Sequence, residues 1–492
     1  MPNRSAPADR HLITTGPRHA RRTLLALIAC LFFLALLVSA VRADDGPVDI
    51  AAKLDKHLSS IYPADEPGAA VLVVQRGDVV LRKGYGMANL EHDIRITPES
   101  VFRVGSMTKF FTATAILMLE EQGRLSLDDD ITQYLPDYPT HGEKITIRHL
   151  VAHTSGIWDY LNLPKMQEGW HDDITPQGLI NLFKDKPLEF KPGDGFAYSN
   201  SNYILLGVII EKVSGQSYQD FVQEKIFTPA GMKSTRYGGH LPIIPNRAAG
   251  YEPSGDGGYN NARFLNMSEP YAAGGHVSTV DDLYRWDQAY LGGKLISKDT
   301  LGRALTRFRL NNGKEVPVAC GCGISDFLGH RIIVYAGGIH GFATQAVIVP
   351  DEDLHVIVLS NNPRHPRGVS DVAADLTAIA LGQPLAPPEP VTVDTKILES
   401  LAGTYRVPDD EGFLAHGGAE WVFELESGQL WWVQPALGRR RPLLPASDTE
   451  FHFDSGSRRH FEFVRDKHGN VSHVLLRLPL LYPQRAVRVT SP

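Results

Sequence analysis

Residues 69–75 and 79–82 are runs of valine, leucine and alanine on either side of the polar turn Arg76-Gly77-Asp78. That pattern predicts a hairpin of buried strands, and the turn accounts for the Arg-Gly-Asp string. The period then changes. Across residues 106–122, Phe110, Ala113 and Leu117 recur at spacings of three and four until Gly123 interrupts them, which predicts a helix. The same spacing covers residues 145–152, 203–213 and 280–290, and strand patterns return at 331–335, 343–349 and 354–359. Strands at both ends with helices between them predict one sheet assembled from both ends of a domain.

Pro384, Pro387, Pro388 and Pro390 then mark a stiff linker over residues 383–396. Beyond it the pattern alternates: Trp421-Val422-Phe423-Glu424-Leu425, then Phe451-His452-Phe453, then Phe461-Glu462-Phe463. This predicts a small antiparallel sheet or barrel over residues 397–492. Trp421, Trp431 and Trp432 fall within it, and core packing is the expected role for them.

The first residues read differently. Arg4, Arg10, Arg18, Arg21 and Arg22 precede an apolar run from Leu24 to Val41, near the minimum length for crossing a bilayer. Val41-Arg42-Ala43 then offers a cleavage site before Asp44, so residues 1–43 fit either a signal peptide or a membrane anchor. Both predict export, with the rest of the chain on the periplasmic or extracellular side.

With 492 residues, 43% hydrophobic and 21% charged, the chain has material for a sizeable core. A net charge of −7 offers no global positive field for nucleic acid. Three cysteines build no disulfide scaffold; Cys30 lies in the leader, and Cys320 and Cys322 are expected as small strand residues. His149 and His153 have a metal-like spacing on a helix but lack the glutamate of a zinc protease, so no metal and no cofactor is expected. There is no G-x-S-x-G elbow, no G-x-G-x-x-G and no P-loop.

Ser106-Met107-Thr108-Lys109 carries the candidate chemistry. Residues three apart share a helix face, so the lysine amine approaches the serine hydroxyl. A serine becomes a nucleophile only beside a base, and a desolvated lysine serves once burial lowers its pKa from about 10.4. Tyr198-Ser199-Asn200 is the second piece. A tyrosine whose pKa is depressed by Lys109 relays a proton to the leaving group. Asn200 is expected to hold a substrate amide carbonyl and to contact Lys109.

At these motifs the chain resembles the serine β-lactamase and penicillin-binding-protein superfamily, on its class C, esterase and D-aminopeptidase-like side. Further stretches carry the likeness in order: Leu125-Ser126-Leu127-Asp128-Asp129, Ile145-Thr146-Ile147-Arg148-His149-Leu150, His153-Thr154-Ser155-Gly156 and Ala273-Gly274-Gly275-His276-Val277-Ser278-Thr279. The resemblance implies an α/β (α+β) domain over residues 44–382, a five-stranded antiparallel sheet flanked by helices beside an all-helical region. It implies a lipocalin-like barrel after it, opening at Leu401-Ala402-Gly403-Thr404-Tyr405. Ser106 is then the acylated nucleophile, with Lys109 and Tyr198 as base and proton shuttle.

The third family motif, usually Lys-Thr-Gly or His-x-Gly, falls on Tyr335-Ala336-Gly337, with the Gly338 N–H completing the oxyanion hole. A phenol is a poorer partner for a carboxylate than a cation, so neutral esters or amides are expected ahead of β-lactams. His340 supplies an imidazole only if its loop folds inward. The resulting expectation is an exported serine hydrolase taking an ester, a D-amino acid or short-peptide amide, or a β-lactam, a range that includes peptidoglycan-derived substrates. The alternative is a penicillin- or peptidoglycan-binding sensor that acylates without turnover, or a binding protein with an altered site.

Overall fold

The computed structural model describes residues 47–167, 171–386, 389–408, 411–412, 418–434, 439–453 and 458–489. The leader over residues 1–43 lies outside these, as do Pro387 and Pro388 of the linker. Among the described residues no helix is long and apolar enough to cross a membrane.

Two β-branched stretches from opposite ends of the region before the linker meet in the middle of one sheet. Its strands are β1 (Ala69–Gln75), β2 (Asp78–Tyr85), β3 (Gly323–Phe327), β4 (His330–Ile339), β5 (Phe342–Val349) and β6 (Leu354–Ser360). Their order is β3-β4-β5-β6-β1-β2, antiparallel throughout, with Ala69 opposite Ser360. β1 and β6 are buried on both faces, which is why their sequences run apolar without alternation. The resemblance implied five strands and the chain has six. The addition is the edge strand β3, joined to β4 through Leu328-Gly329, both at positive φ as a tight hairpin turn requires.

One face of the sheet packs on α1 (Pro47–Ile61), where Leu54 and Leu58 join Val71, Val73, Val356 and Val358 in one apolar layer. The other face packs on α2 (Thr108–Glu121), whose Phe110 and Phe111 contact the fully buried Trp286 of α4 (Val280–Leu291). α2 also lies against α3 (Asn200–Ser214). It is therefore apolar on nearly every side and holds one charged residue in its buried length, Lys109. α5 (Val369–Ala380) completes the first face with Val372 and Leu376.

The C-terminal strands form a nearly closed nine-stranded antiparallel barrel between Gly403 and Arg488. Its core is aromatic: Tyr405, Trp421, Phe423, Phe451, Phe461 and Phe463. Trp421 is a core residue, while Trp432 is half-buried against Phe453 and Phe461, and Trp431 carries the Arg440 guanidinium over its ring. Cys320 and Cys322 are free and buried, but they lie in the loop before β3 rather than in a strand. Gly321 between them takes φ +75°, and its Cβ would meet the backbone of Phe110.

Candidate active site

Ser106 sits in a 3-10 turn, Gly105–Met107, that runs directly into α2. One turn on, Lys109 is 3% exposed and its Nζ lies 3.1 Å from Ser106 Oγ. The amine also donates to Asn200 Oδ1 at 2.7 Å and to the Ala273 carbonyl at 2.8 Å. Tyr198 follows the short strand Phe196–Ala197, and its hydroxyl donates to Ser106 Oγ at 2.8 Å. Lys109, one helical turn away, and Tyr198, distant in sequence, thus converge on the Ser106 oxygen.

Burial sets the electrostatics. It pushes Lys109 down to about 7, although the carboxylates of Asp159 and Glu269 pull the other way. The same burial raises Asp159 above its ordinary value and Glu269 up to about 7. The Tyr198 phenol is not depressed as the sequence suggested: desolvation pushes it well up, so the resting group is a neutral hydroxyl. Beneath it the His153 ring stacks at 4.5 Å, with Nδ1 accepting from the Ser199 N–H. Burial drives His153 down to about 3, leaving a neutral platform.

Asn200 makes the expected contact with Lys109: its oxygen accepts from the amine, and its Nδ2 donates one N–H to Asp159 at 2.9 Å, leaving the second N–H available. Gly337 and Gly338 lie against the nucleophile loop. A Cβ on Gly337 would sit 1.9 Å from the Val104 carbonyl oxygen and 2.9 Å from Ser106 N, whereas one on Gly338 would face open space.

Tyr335 lines the cavity beside Ser106 with its ring, but its hydroxyl turns away from the nucleophile. It donates to Asp287 Oδ1 at 2.5 Å, and His355 Nδ1 pairs with Asp287 Oδ2 at 3.0 Å. The hydroxyl expected to stand in for the family's cation is thus bound to a buried carboxylate. Tyr335→Phe removes one donor from that carboxylate and is expected to cost about 1–3 kcal/mol of stability in denaturant unfolding. An unchanged midpoint would show the bond to be dispensable.

His340 is half-buried in the turn between β4 and β5, where Arg263, Glu252 and Arg103 are its charged neighbours, and burial lowers its pKa. It is absent from the residues lining the Ser106 cavity. His149 caps its own helix, with Nδ1 accepting from the Thr146 N–H, and His153 lies under the Tyr198 ring. Among the described residues, the one grouping with metal-ligand chemistry is elsewhere: Glu450, His452 and His460 on the barrel, with ligating atoms within 4.8 Å of one another. Asp159, Glu269 and the Ala273 carbonyl are functional contacts that no local motif announced, though Ala273 opens one of the stretches carrying the resemblance.

The Beta-lactamase family model matches residues 54–380. The chain belongs to this family. Penicillin-binding protein 4* of Bacillus subtilis is 30% identical over 420 residues, covering 80% of this chain and 91% of the relative. A D-aminopeptidase of Gluconobacter oxydans is 29% identical, over 72% of this chain and 66% of its own length. Among solved structures, an octameric penicillin-binding protein homologue from Pyrococcus abyssi superposes with a TM-score of 0.62 at 27% identity. That match covers 89% of this chain and 99% of the other. A D-stereospecific amidohydrolase from Streptomyces sp. gives 0.55 at 28% identity, over 63% and 94%. Family membership thus spans the catalytic part, and the Pyrococcus likeness extends over most of the remaining chain.

Proposed function

We propose that this chain is an exported serine hydrolase that cleaves esters or amides, of D-amino acids or short peptides, through an acyl-enzyme on Ser106. The observation that carries the reading is the convergence of Lys109 Nζ, at 3.1 Å, and the Tyr198 hydroxyl, at 2.8 Å, on Ser106 Oγ. A neutral amine has two N–H groups and one lone pair. With Asn200 Oδ1 and the Ala273 carbonyl taking the two N–H groups, deprotonation of Lys109 frees a lone pair for the Ser106 hydroxyl.

Ser106 Oγ then attacks the substrate carbonyl carbon while its proton passes to Lys109 Nζ. Tyr198, a neutral phenol 2.8 Å from the same oxygen, gives its proton to the departing amine or alkoxide, and Lys109 restores it. The N–H groups of Ser106 and Gly338 take the developing oxyanion. Water completes the cycle by attacking the acyl ester. Neutral substrates are favoured over carboxylate-bearing β-lactams because the Tyr335 hydroxyl is spent on Asp287. The arginine-rich, apolar first segment supports export.

The test is intact mass after exposure to a fluorophosphonate, beside Ser106→Ala. One adduct on the wild type and none on the variant is the expected result; no adduct on folded wild type would overturn the reading. With an aryl ester in its place, an adduct that persists for hours would favour the non-turnover sensor.

A further inference from the structure

We infer that the C-terminal barrel is part of the substrate site: Leu480, Leu481 and Tyr482 wall the Ser106 cavity and select a neutral apolar or aromatic acyl group. The inference rests on the acyl-enzyme reading above and narrows its substrate class to acyl groups without a free α-ammonium, such as simple esters or N-blocked D-amino acids. The cavity, of about 160 Å³, runs from Ser106, Lys109 and Tyr198 past Val318 and Ile324 to these three residues, which belong to a different part of the chain. They form the loop between the barrel strands Val471–Arg477 and Gln484–Arg488. Apart from Lys109, no side chain lining the cavity carries a charge; its one histidine is the neutral His153. A charged acyl group would lose its water there without gaining a partner. An apolar cavity of about 150 Å³ has room for a benzene ring, so an aromatic side chain fits.

The wall is anchored rather than draped. Leu480 is fully buried in the apolar layer that contains Phe327, Ile332 and Val334 of the sheet. The Arg307 guanidinium lies over the Tyr482 ring, 5.7 Å from its centroid. A second barrel segment reaches the site independently: Glu411–Gly412 pairs in parallel with Phe196–Ala197, the strand that delivers Tyr198. A third tie is Arg458, which donates to the buried Asp375 of α5 at 3.0 Å. These contacts hold the barrel loop in register with the catalytic oxygen, as a specificity wall requires.

The experiment compares p-nitrophenyl acetate, phenylacetate and hemisuccinate on the full chain, which share a leaving group and differ only in the acyl part. Wild type is expected to prefer phenylacetate over hemisuccinate by at least about a hundredfold in kcat/KM. Leu481→Glu is expected to cut that ratio at least about tenfold, and Tyr482→Ala, at a half-exposed position that tolerates change, to lower it in the same direction. Tyr482→Phe should restore it. Ratios within about twofold of wild type in both variants, each still labelled by the fluorophosphonate, would overturn the inference and leave the acyl-enzyme reading standing. A wild type without preference among the esters would overturn it too, and failure of wild type to label would remove both.

Discussion

Lys109→Met is expected to slow acylation of Ser106 by about two to four orders of magnitude. The methionine keeps the unbranched shape and suits the buried site, so the loss isolates the amine. Without it, the Ser106 proton has no acceptor among its neighbours, because Tyr198 enters the reaction as a neutral donor and His153 stacks beneath the phenol ring rather than against Ser106.

The pH dependence of the wild type follows from the same group. Below about 7 the Lys109 amine is protonated and has no lone pair; above it the neutral base is present, so the acylation rate should rise with pH through about 7 and then level. Glu269 titrates in the same range and lies close enough to interact, so the limb belongs to the pair rather than to either residue. Fluorophosphonate labelling rates between pH 5 and 9 would measure it. A flat profile, or Lys109→Met labelling at the wild-type rate, would remove Lys109 from the role of base.

The second large effect is expected at Gly337. Its Cβ in Gly337→Ala would sit 1.9 Å from the Val104 carbonyl oxygen, a backbone atom, and a Cβ has no torsion by which to swing aside. β4 and the nucleophile loop must then separate, and a shift of about 1 Å in reacting atoms costs about a hundredfold in rate. Overpacking of this kind also costs about 1–3 kcal/mol of stability. Gly338→Ala is the steric control, because its Cβ meets nothing within 4 Å. Thermal unfolding of the two variants beside labelling rates should show Gly337→Ala much the less stable. Equal melting temperatures would mean that the close approach is not maintained.

Some of this site was legible in the chain because the relevant chemistry is local. Ser106 and Lys109 are one helical turn apart, so their contact follows from helix geometry alone. The strands of the sheet centre were equally plain, since β1 and β6 are uninterrupted apolar runs. What escaped depends on long-range packing. Asp159 and Glu269 shape the lysine's electrostatics through the fold, and neither sits in a pattern that marks it. Tyr335 falls at the family's third motif, but its hydroxyl direction depends on Asp287, which α4 delivers from a distant part of the sequence. Local alternation identified barrel strands and was silent on where the loop between two of them would dock.

The pairing of β1 with β6 has a consequence for the order in which the molecule is made. Ala69 emerges early from the ribosome, yet its partner Ser360 is added only when nearly all of the catalytic part has been synthesised. Until then β1 pairs only with β2 and leaves bare backbone on its other edge, while β3, β4 and β5 form a separate meander, so the apolar helices α2, α3 and α4 have no continuous sheet to cover. A nascent chain stopped short of β6 therefore exposes strand edges and apolar helix faces that favour aggregation. The topology that brings both ends of the catalytic part together thereby sets a long interval in which the chain is still extended enough to be threaded or captured.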